Sequence, residues 1–313
     1  MHVLVTGGAG FIGSHVCDAL LSRGEQVTAL DNFDPFYPAE VKWANIEQAQ
    51  DERKFALVEG DIRNAELVGN LFARGGFDAV VHLAALAGVR ESISDPYGFN
   101  EVNVDGVLRI MDACVKHGNA RFILASTSSV YGLSSRVPYR EDDPLMSPVS
   151  PYGASKIAAE KYAAIYHHVH GLDTISLRLF TAYGERQRPD MAIHKFARLI
   201  TQDKPVPVYG DGSSERDYTY VGDVIGAILQ ALDSGIAHGV YNIGNNITYS
   251  LSDVIAEIGR ALEREPQLEF QPEQPGDPPC TCADFSKAQA ELGYNPRTAL
   301  REGIGKFVEW LVK

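Results

Sequence analysis

The sequence predicts an α/β fold built on a doubly wound parallel sheet, with a smaller C-terminal lobe intertwined with it. Three observations carry that prediction. Short β-branched runs alternate with helical patterns through the first 180 residues, a glycine-rich turn follows the first run, and past Phe180 the elements shorten between prolines and glycines. At 313 residues, 45% hydrophobic and 22% charged, the chain has material for one large or two modest domains.

In chain order, strands are predicted over residues 2–5, 26–30, 55–58, 79–82, 121–125 and 174–178. Between them, residues 14–23, 65–74, 97–116 and 152–168 carry apolar side chains at three-to-four spacing, and Gly24 and Gly118 stand where two of these helices should end. Regular strand-helix-strand succession is the mark of parallel pairing. Beyond Phe180, Pro189, Pro205, Pro207, Gly210 and Gly212 punctuate the chain, and a Pro-rich stretch spans 272–279. Helices are predicted there over 192–201, 223–232, 251–263 and 301–311, with short strands such as 239–243 between them. The expected division is 1–180 and 181–313.

Lys and Arg total 28 against 41 Asp and Glu, and the net charge of −13 opposes attraction to nucleic acid or an anionic membrane. An anionic small ligand would need locally placed arginines. No apolar run approaches the ~20 residues that span a bilayer. A strand-like run begins one residue after Met1 with no leader pattern ahead of it, so a soluble, cytoplasmic protein is expected. Cys17 and Cys114 lie inside helical patterns, and Cys280-Thr281-Cys282 is too tight for a usual zinc knuckle. His167, His168 and His170 end a helix, where imidazole is favoured by the last carbonyls, and no metal is expected.

The run Val3-Leu4-Val5-Thr6-Gly7-Gly8-Ala9-Gly10-Phe11-Ile12-Gly13 reads as strand, glycine turn and helix. Gly7 permits the tight turn, Gly10 lets a pyrophosphate approach the backbone, and Gly13 lets the helix pack on the strand. An acid, Asp31, ends the second strand, where it would bind the adenosine ribose and repel a 2′-phosphate; NAD is therefore expected over NADP. No cation stands between Asp31 and Lys42 to favour the phosphate.

Tyr152 and Lys156 are four apart at the start of a helix and so share one face. A phenol, with a usual pKa of about 10, becomes a usable base beside an ammonium and a nicotinamide cation. Upstream, Ser126-Thr127-Ser128-Ser129 leaves a predicted strand at its carboxyl end, where open parallel sheets place their ligands. Residues 133–143, with Arg136, Arg140, Glu141, Asp142 and Asp143, read as a solvated loop beside that site.

Together these motifs resemble the extended short-chain dehydrogenase/reductase family, and within it the nucleotide-sugar epimerases and dehydratases. The resemblance spans the chain: residues 6–13, Gly60-Asp61-Ile62-Arg63, His82-Leu83-Ala84-Ala85, Asn103, Ser126 to Gly132, Tyr152 with Lys156, and residues 216–223. It implies a Rossmann domain over 1–180 and a nucleotide-sugar lobe over 181–313. It implies that Asp61 and Ile62 flank the adenine, that Ala84 and Ala85 lie along the cofactor, and that Lys156 contacts the nicotinamide ribose. The cofactor set it implies is Gly7, Gly10, Phe11, Ile12, Gly13, Asp31, Asn32, Asp61, Ile62, Leu83, Ala84, Ala85 and Asn103, with Tyr152 and Lys156. The substrate set is Arg90, Ser128, Ser129, Thr181, Arg186, Arg188, Arg216 and Asp277, with Arg216 and one of Arg186 or Arg188 on the diphosphate.

The implied reaction is transient oxidation at the sugar C4, with Tyr152 as base and Thr127 as relay, and return of the hydride to the opposite face. The family's dehydratases carry Asp-Glu where Ser128 and Ser129 stand, and elimination lacks its acid and base without them. Residues 177–192, with Thr181 where galactose-type enzymes usually have Asn, look most like UDP-glucuronate 4-epimerases. Residues 31–37 and Gln274-Pro275-Gly276-Asp277 lean the same way. The alternatives are a UDP-glucose/UDP-galactose 4-epimerase, a dehydrogenase releasing NADH, and a non-catalytic NAD-binding sensor, which would tend to lose Tyr152 or Lys156. A homodimer through helices 97–116 and 152–168 is implied by the resemblance.

Overall fold

The computed structural model describes residues 1–133, 136–145, 148–272 and 278–313. The first strand, β1 (His2–Thr6), has Val3, Leu4 and Val5 buried alike, so it reads as a continuous apolar run and not as an alternating one. The chain continues through α1 (Phe11–Ser22), β2 (Gln26–Asp31), α2 (Ala39–Gln50), β3 (Phe55–Glu59), α3 (Ala65–Gly75) and β4 (Ala79–His82). Next come α4 (Val89–Ser94), α5 (Pro96–Asn100), a π-helical turn Glu101–Gly106, α6 (Val107–Lys116) and β5 (Arg121–Thr127). A 3-10 turn Ser128–Tyr131, α7 (Pro151–His170) and β6 (Thr174–Leu179) follow.

The rest of the chain holds β7 (Thr181–Tyr183), α8 (Ala192–Thr201), β8 (Val206–Tyr209), β9 (Glu215–Tyr220), α9 (Val221–Asp233) and β10 (His238–Ile243). It closes with β11 (Thr248–Ser250), α10 (Leu251–Ala261), β12 (Leu268–Gln271), β13 (Cys280–Thr281), α11 (Ser286–Leu292) and α12 (Leu300–Leu311). The large sheet is parallel throughout, in the order β10-β6-β5-β4-β1-β2-β3. Its winding reverses between β1 and β4, and the crevice at their carboxyl ends is where such sheets take ligands. In the lobe, β9 lies between β11 and β13 and also pairs with β7, while β8 pairs with β12.

Three expectations are corrected. Residues 239–243, read as part of the smaller lobe, extend the outer strand of the large sheet, with His238–Ile243 in register with Thr174–Leu179. α9 returns with it, because its face of Val224, Ala227, Ile228 and Ala231 is buried in the same core as Val16, Cys17 and Leu20 of α1. The helix over 97–116 is not uniform: Gly106 ends a π-turn, and a Cβ there would lie 2.5 Å from Ile62 Cδ1. The segment 133–143 is not solvated throughout. Tyr139 is 1% exposed, its ring stacks on Tyr131 at 4.6 Å, and its backbone bonds Cys282 and Asp284.

α2 went unpredicted because its inward stripe is Lys42, Asn45, Ile46 and Ala49, too polar to register as apolar periodicity. Among the described residues no helix is long and apolar enough to cross a membrane, and no group of three or more His, Cys, Asp or Glu could hold a metal ion.

Candidate active site

The glycine turn sits at the mouth of the crevice. Gly7 has φ +70°, and its N–H donates to Leu30 O at 2.7 Å, which pins the turn to β2. A Cβ on Gly7 would lie 2.8 Å from Ala84 N, and one on Gly13 would lie 2.0 Å from Gly7 O. Both contacts are with backbone, which cannot yield. Gly13→Ala should therefore distort the turn, lowering Tm by the equivalent of about 1–3 kcal/mol and emptying the protein of cofactor; undiminished NAD content on purification would refute this account of the turn.

At Gly10 the added atom would meet only Gly7 O at 3.2 Å and the Tyr37 hydroxyl at 4.0 Å within 4 Å. Gly10 also begins α1 without a side-chain cap, and the first turn of that helix carries no acid. The first N–H groups and the positive end of the helix dipole are left for an anion. Phe11, Ile12 and Gly13 form the first turn of that helix.

Asp31 ends β2 at 6% exposure. Its oxygens accept from Ala9 N at 3.0 Å and Phe33 N at 2.9 Å, and each keeps a lone pair for a ribose hydroxyl. The interval to Lys42 holds no cation, but α2 folds back and brings Lys42 Nζ itself to 3.8 Å from Asp31 Oδ1. Beyond β3, Asp61 is bound by Arg63 and by Asn32 Nδ2, and the Arg63 guanidinium holds its carboxyl at about 2. Ile62 is buried beside it.

After β4, Leu83 N donates to Thr6 O at 3.1 Å and Ala84 N to the Thr6 hydroxyl at 3.3 Å, so residues 83–85 lie against the glycine turn. Asn103 acts one layer back. Its amide brackets Leu86 through both backbone groups at 2.9 Å and donates to Ser155 Oγ at 3.1 Å. It ties the loop after β4 to α7 from a π-turn, a feature that often marks functional helices.

The hydroxyl cluster forms where β5 ends. Thr127 caps the following 3-10 turn, accepting from Ser129 N at 3.2 Å and donating to Ser129 Oγ at 3.3 Å. α7 docks here: a Cβ on Gly153 would stand 2.7 Å from Ser129 O. Thr127 is in register with Leu179, so Thr181, two residues on, lies at the same edge of the sheet.

Burial raises the Tyr152 pKa, while the nearby Thr127 hydroxyl and the Arg188 charge draw it down. Arg188 is thus a second cation near the phenol, besides Lys156 one turn on in α7. The Lys156 ammonium, 3% exposed, donates to Ala125 O at 3.0 Å, and burial brings its pKa down to about 8 against the pull of Glu160.

Of the two arginines offered for the diphosphate, Arg188 is near Tyr152. It pairs with Asp190 at 2.7 Å, reaches Ala87 O, and lies over Phe36. Arg186, with φ +61°, turns to Asp18 on α1, 2.7 Å distant. Arg216 lies on β9 between Tyr249 and Thr281, and Arg90 on α4 stacks over Tyr209 of β8 at 5.3 Å. Asp277 and Gln274 lie outside the described residues. His167 bonds Leu172 O and stacks on His238 at 5.0 Å.

Sequence reasoning missed Tyr37, Lys42 and Glu160. Tyr37 roofs Gly10, and the Lys42 ammonium sits 4.8 Å over its ring. The available signal was the turn-rich Asp34-Pro35-Phe36-Tyr37, which throws a loop across the glycine turn.

A dinucleotide cradle, a Tyr/Lys helix and a hydroxyl turn on one sheet edge define an NAD-dependent enzyme of the extended short-chain dehydrogenase/reductase class. Residues 4–307 match the family described as GDP-mannose 4,6 dehydratase, and the chain belongs to that family of nucleotide-sugar epimerases and dehydratases. It is similar to UDP-glucuronate 4-epimerase 4 of Arabidopsis thaliana, 38% identical over 98% of this chain and 74% of the relative. UDP-glucuronate 4-epimerase of Thermodesulfobacterium geofontis is 34% identical over 99% of this chain and 95% of its own. Among solved structures, UDP-glucuronic acid 4-epimerase from Bacillus cereus, in complex with UDP-glucuronic acid and NAD, superposes with a TM-score of 0.93. It is 36% identical, covering 100% of this chain and 99% of that one.

Proposed function

We propose that the chain is an NAD-dependent 4-epimerase interconverting UDP-glucuronate and UDP-galacturonate. The observation that carries this reading is the placement of Tyr152 beside the Thr127 hydroxyl, at a turn whose next residues are Ser128 and Ser129. The relatives named above support it. The division at 180 serves it, with the large sheet holding the cofactor and residues 181–313, apart from α9 and β10, holding the nucleotide sugar.

The glycine turn, Asp31 and the loop 83–85 fit NAD: the Gly7 carbonyl and the Tyr37 hydroxyl are the groups within 4 Å of a Cβ on Gly10, and a carboxylate stands at the ribose position. When bound, NAD supplies a reversible acceptor for the hydride at the sugar C4. Tyr152 takes the proton of the 4-hydroxyl, Thr127 holds that oxygen, and Arg188 and Lys156 favour the phenolate. Ser128, Ser129 and Thr181 hold the substituent at C5 while the 4-keto sugar turns, and Tyr152 then returns the proton. Arg216, Arg90 and Arg188 face the nucleoside diphosphate.

Incubation of the purified protein with UDP-glucuronate, followed by separation of the sugars, should yield UDP-galacturonate without added NAD. By calorimetry on cofactor-stripped protein, NADP should bind at least about tenfold more weakly than NAD, since a second anion near Asp31 costs about 1–4 kcal/mol at 4 Å. Equal or tighter NADP binding would mean that Lys42 cancels the carboxylate.

The protein is further read as a cytoplasmic homodimer without a nucleic-acid or membrane partner. α5, α6 and α7 would pair with their copies, and the exposure of Tyr97, Tyr162, Ile165 and Val169 on α5 and α7 supports that face.

A further inference from the structure

We propose that Glu160 is a positioning residue for the epimerisation: clamped by Arg178 and Ser126, it fixes the Lys156 ammonium and the end of β5 beside Tyr152. The inference rests on the proposed roles of Tyr152 and Lys156.

Tyr152, Lys156 and Glu160 are spaced by four along α7 and share one face. Two of them are tied to successive residues at the end of β5: Lys156 donates to Ala125 O at 3.0 Å and Glu160 accepts from Ser126 Oγ at 2.5 Å. Thr127, the next residue, ends β5 beside the Tyr152 phenol. Strand and helix are thus laced together at the two positions that lead to the phenol.

The carboxylate is itself fixed from β6. Arg178 donates to it from Nε at 2.9 Å and from Nη2 at 2.8 Å, both side chains being 4% exposed or less. The remaining guanidinium nitrogen donates to the Tyr131 hydroxyl at 2.8 Å, which donates to Asn242 Oδ1 on β10 at 2.7 Å. Burying an ion pair gains little over well-packed apolar side chains, so stability alone gives weak reason to keep one here. Its placement gives a better reason: one carboxylate touches both the helix of the base and the strand of the relay.

The charge matters as well as the shape. Burial disfavours the Lys156 ammonium, and Glu160, one turn on, opposes that. Of the other titratable groups near it, the Tyr152 phenol lies one turn back on α7, His82 on β4 is held neutral at about 3 by burial and by the lysine itself, and Arg178 stands beyond Glu160. Without Glu160, two buried cations would share this core, and the lysine, the more easily deprotonated, would give up its proton.

The test compares the wild type with Glu160→Gln and with Glu160→Gln/Arg178→Met, in which no unpaired arginine remains. Tm, NAD content, the pH profile of kcat, and the pH dependence of amine labelling at Lys156 by mass spectrometry are measured. Both variants should lose kcat on the alkaline side about one pH unit earlier, a tenfold change in the protonation ratio, and the labelling midpoint should fall with it. The double variant should recover Tm without recovering the profile. A wild-type profile and labelling midpoint in either folded variant would overturn the inference; if the single variant does not fold, the double variant decides alone. A wild type that epimerises nothing would instead defeat the reading of Tyr152 and Lys156.

Discussion

Tyr152→Phe should lower kcat by about a thousandfold or more, within the range set by loss of a positioned acid-base group, while the protein still retains NAD. On the proposed mechanism this hydroxyl takes the sugar proton, with the Thr127 hydroxyl and the Arg188 charge drawing it towards ionisation against the burial that raises its pKa. The ring makes other contacts, standing edge-on to Phe99 at 6.1 Å, and phenylalanine preserves them. Stability should therefore change by no more than about 1 kcal/mol, the net worth of one hydrogen bond. Steady-state assays with released-cofactor absorbance and thermal melts separate these effects. A variant retaining more than a tenth of the wild-type rate would show that another group carries the proton.

The legible parts of this site were those whose chemistry is local in sequence. Gly7, Gly10 and Gly13 declare a turn by their spacing, with backbone crowding at Gly7 and Gly13 that admits no side chain, and Tyr152 with Lys156 declare a helix face by spacing alone. What stayed hidden depends on contacts between distant segments. Lys42 reaches Asp31 only because an unpredicted helix folds back over β2, and Glu160 meets Arg178 only once α7 lies on β6. β10 looked like a lobe strand because its neighbours in sequence are lobe elements, whereas its pairing is decided by the open edge of β6. Arg186 and Arg188 are indistinguishable as letters. A left-handed backbone at residue 186 sends one guanidinium to α1 and leaves the other near the phenol.

Given a choice of substrates, the enzyme should turn over UDP-glucuronate with a kcat/KM at least about tenfold above that for UDP-glucose, a preference of ~1.4 kcal/mol that one charge-assisted hydrogen bond could supply. Rotation of the 4-keto sugar requires the C5 carboxylate to be held and released without being locked in one pose. Neutral donors suit that need better than a rigid guanidinium clamp, and Thr127, Ser128, Ser129 and Thr181 lie together at the ends of β5 and β6. Each could give about 1.5–3 kcal/mol to a charged acceptor. The serines also place no base beside the C5 proton, where the family's dehydratases carry carboxylates and where a base would invite loss of carbon dioxide from a 4-keto uronate. The neutral-hexose alternative uses the same proton chemistry and differs only around C6, so kinetics on the two substrates decide between them. Thr181→Val is the finer probe: it removes a donor while keeping a β-branched shape in β7, and it should cost the uronate reaction about tenfold in kcat/KM while sparing UDP-glucose. Equal rates on the two sugars, or a uronate reaction untouched by Thr181→Val, would move the assignment to UDP-glucose.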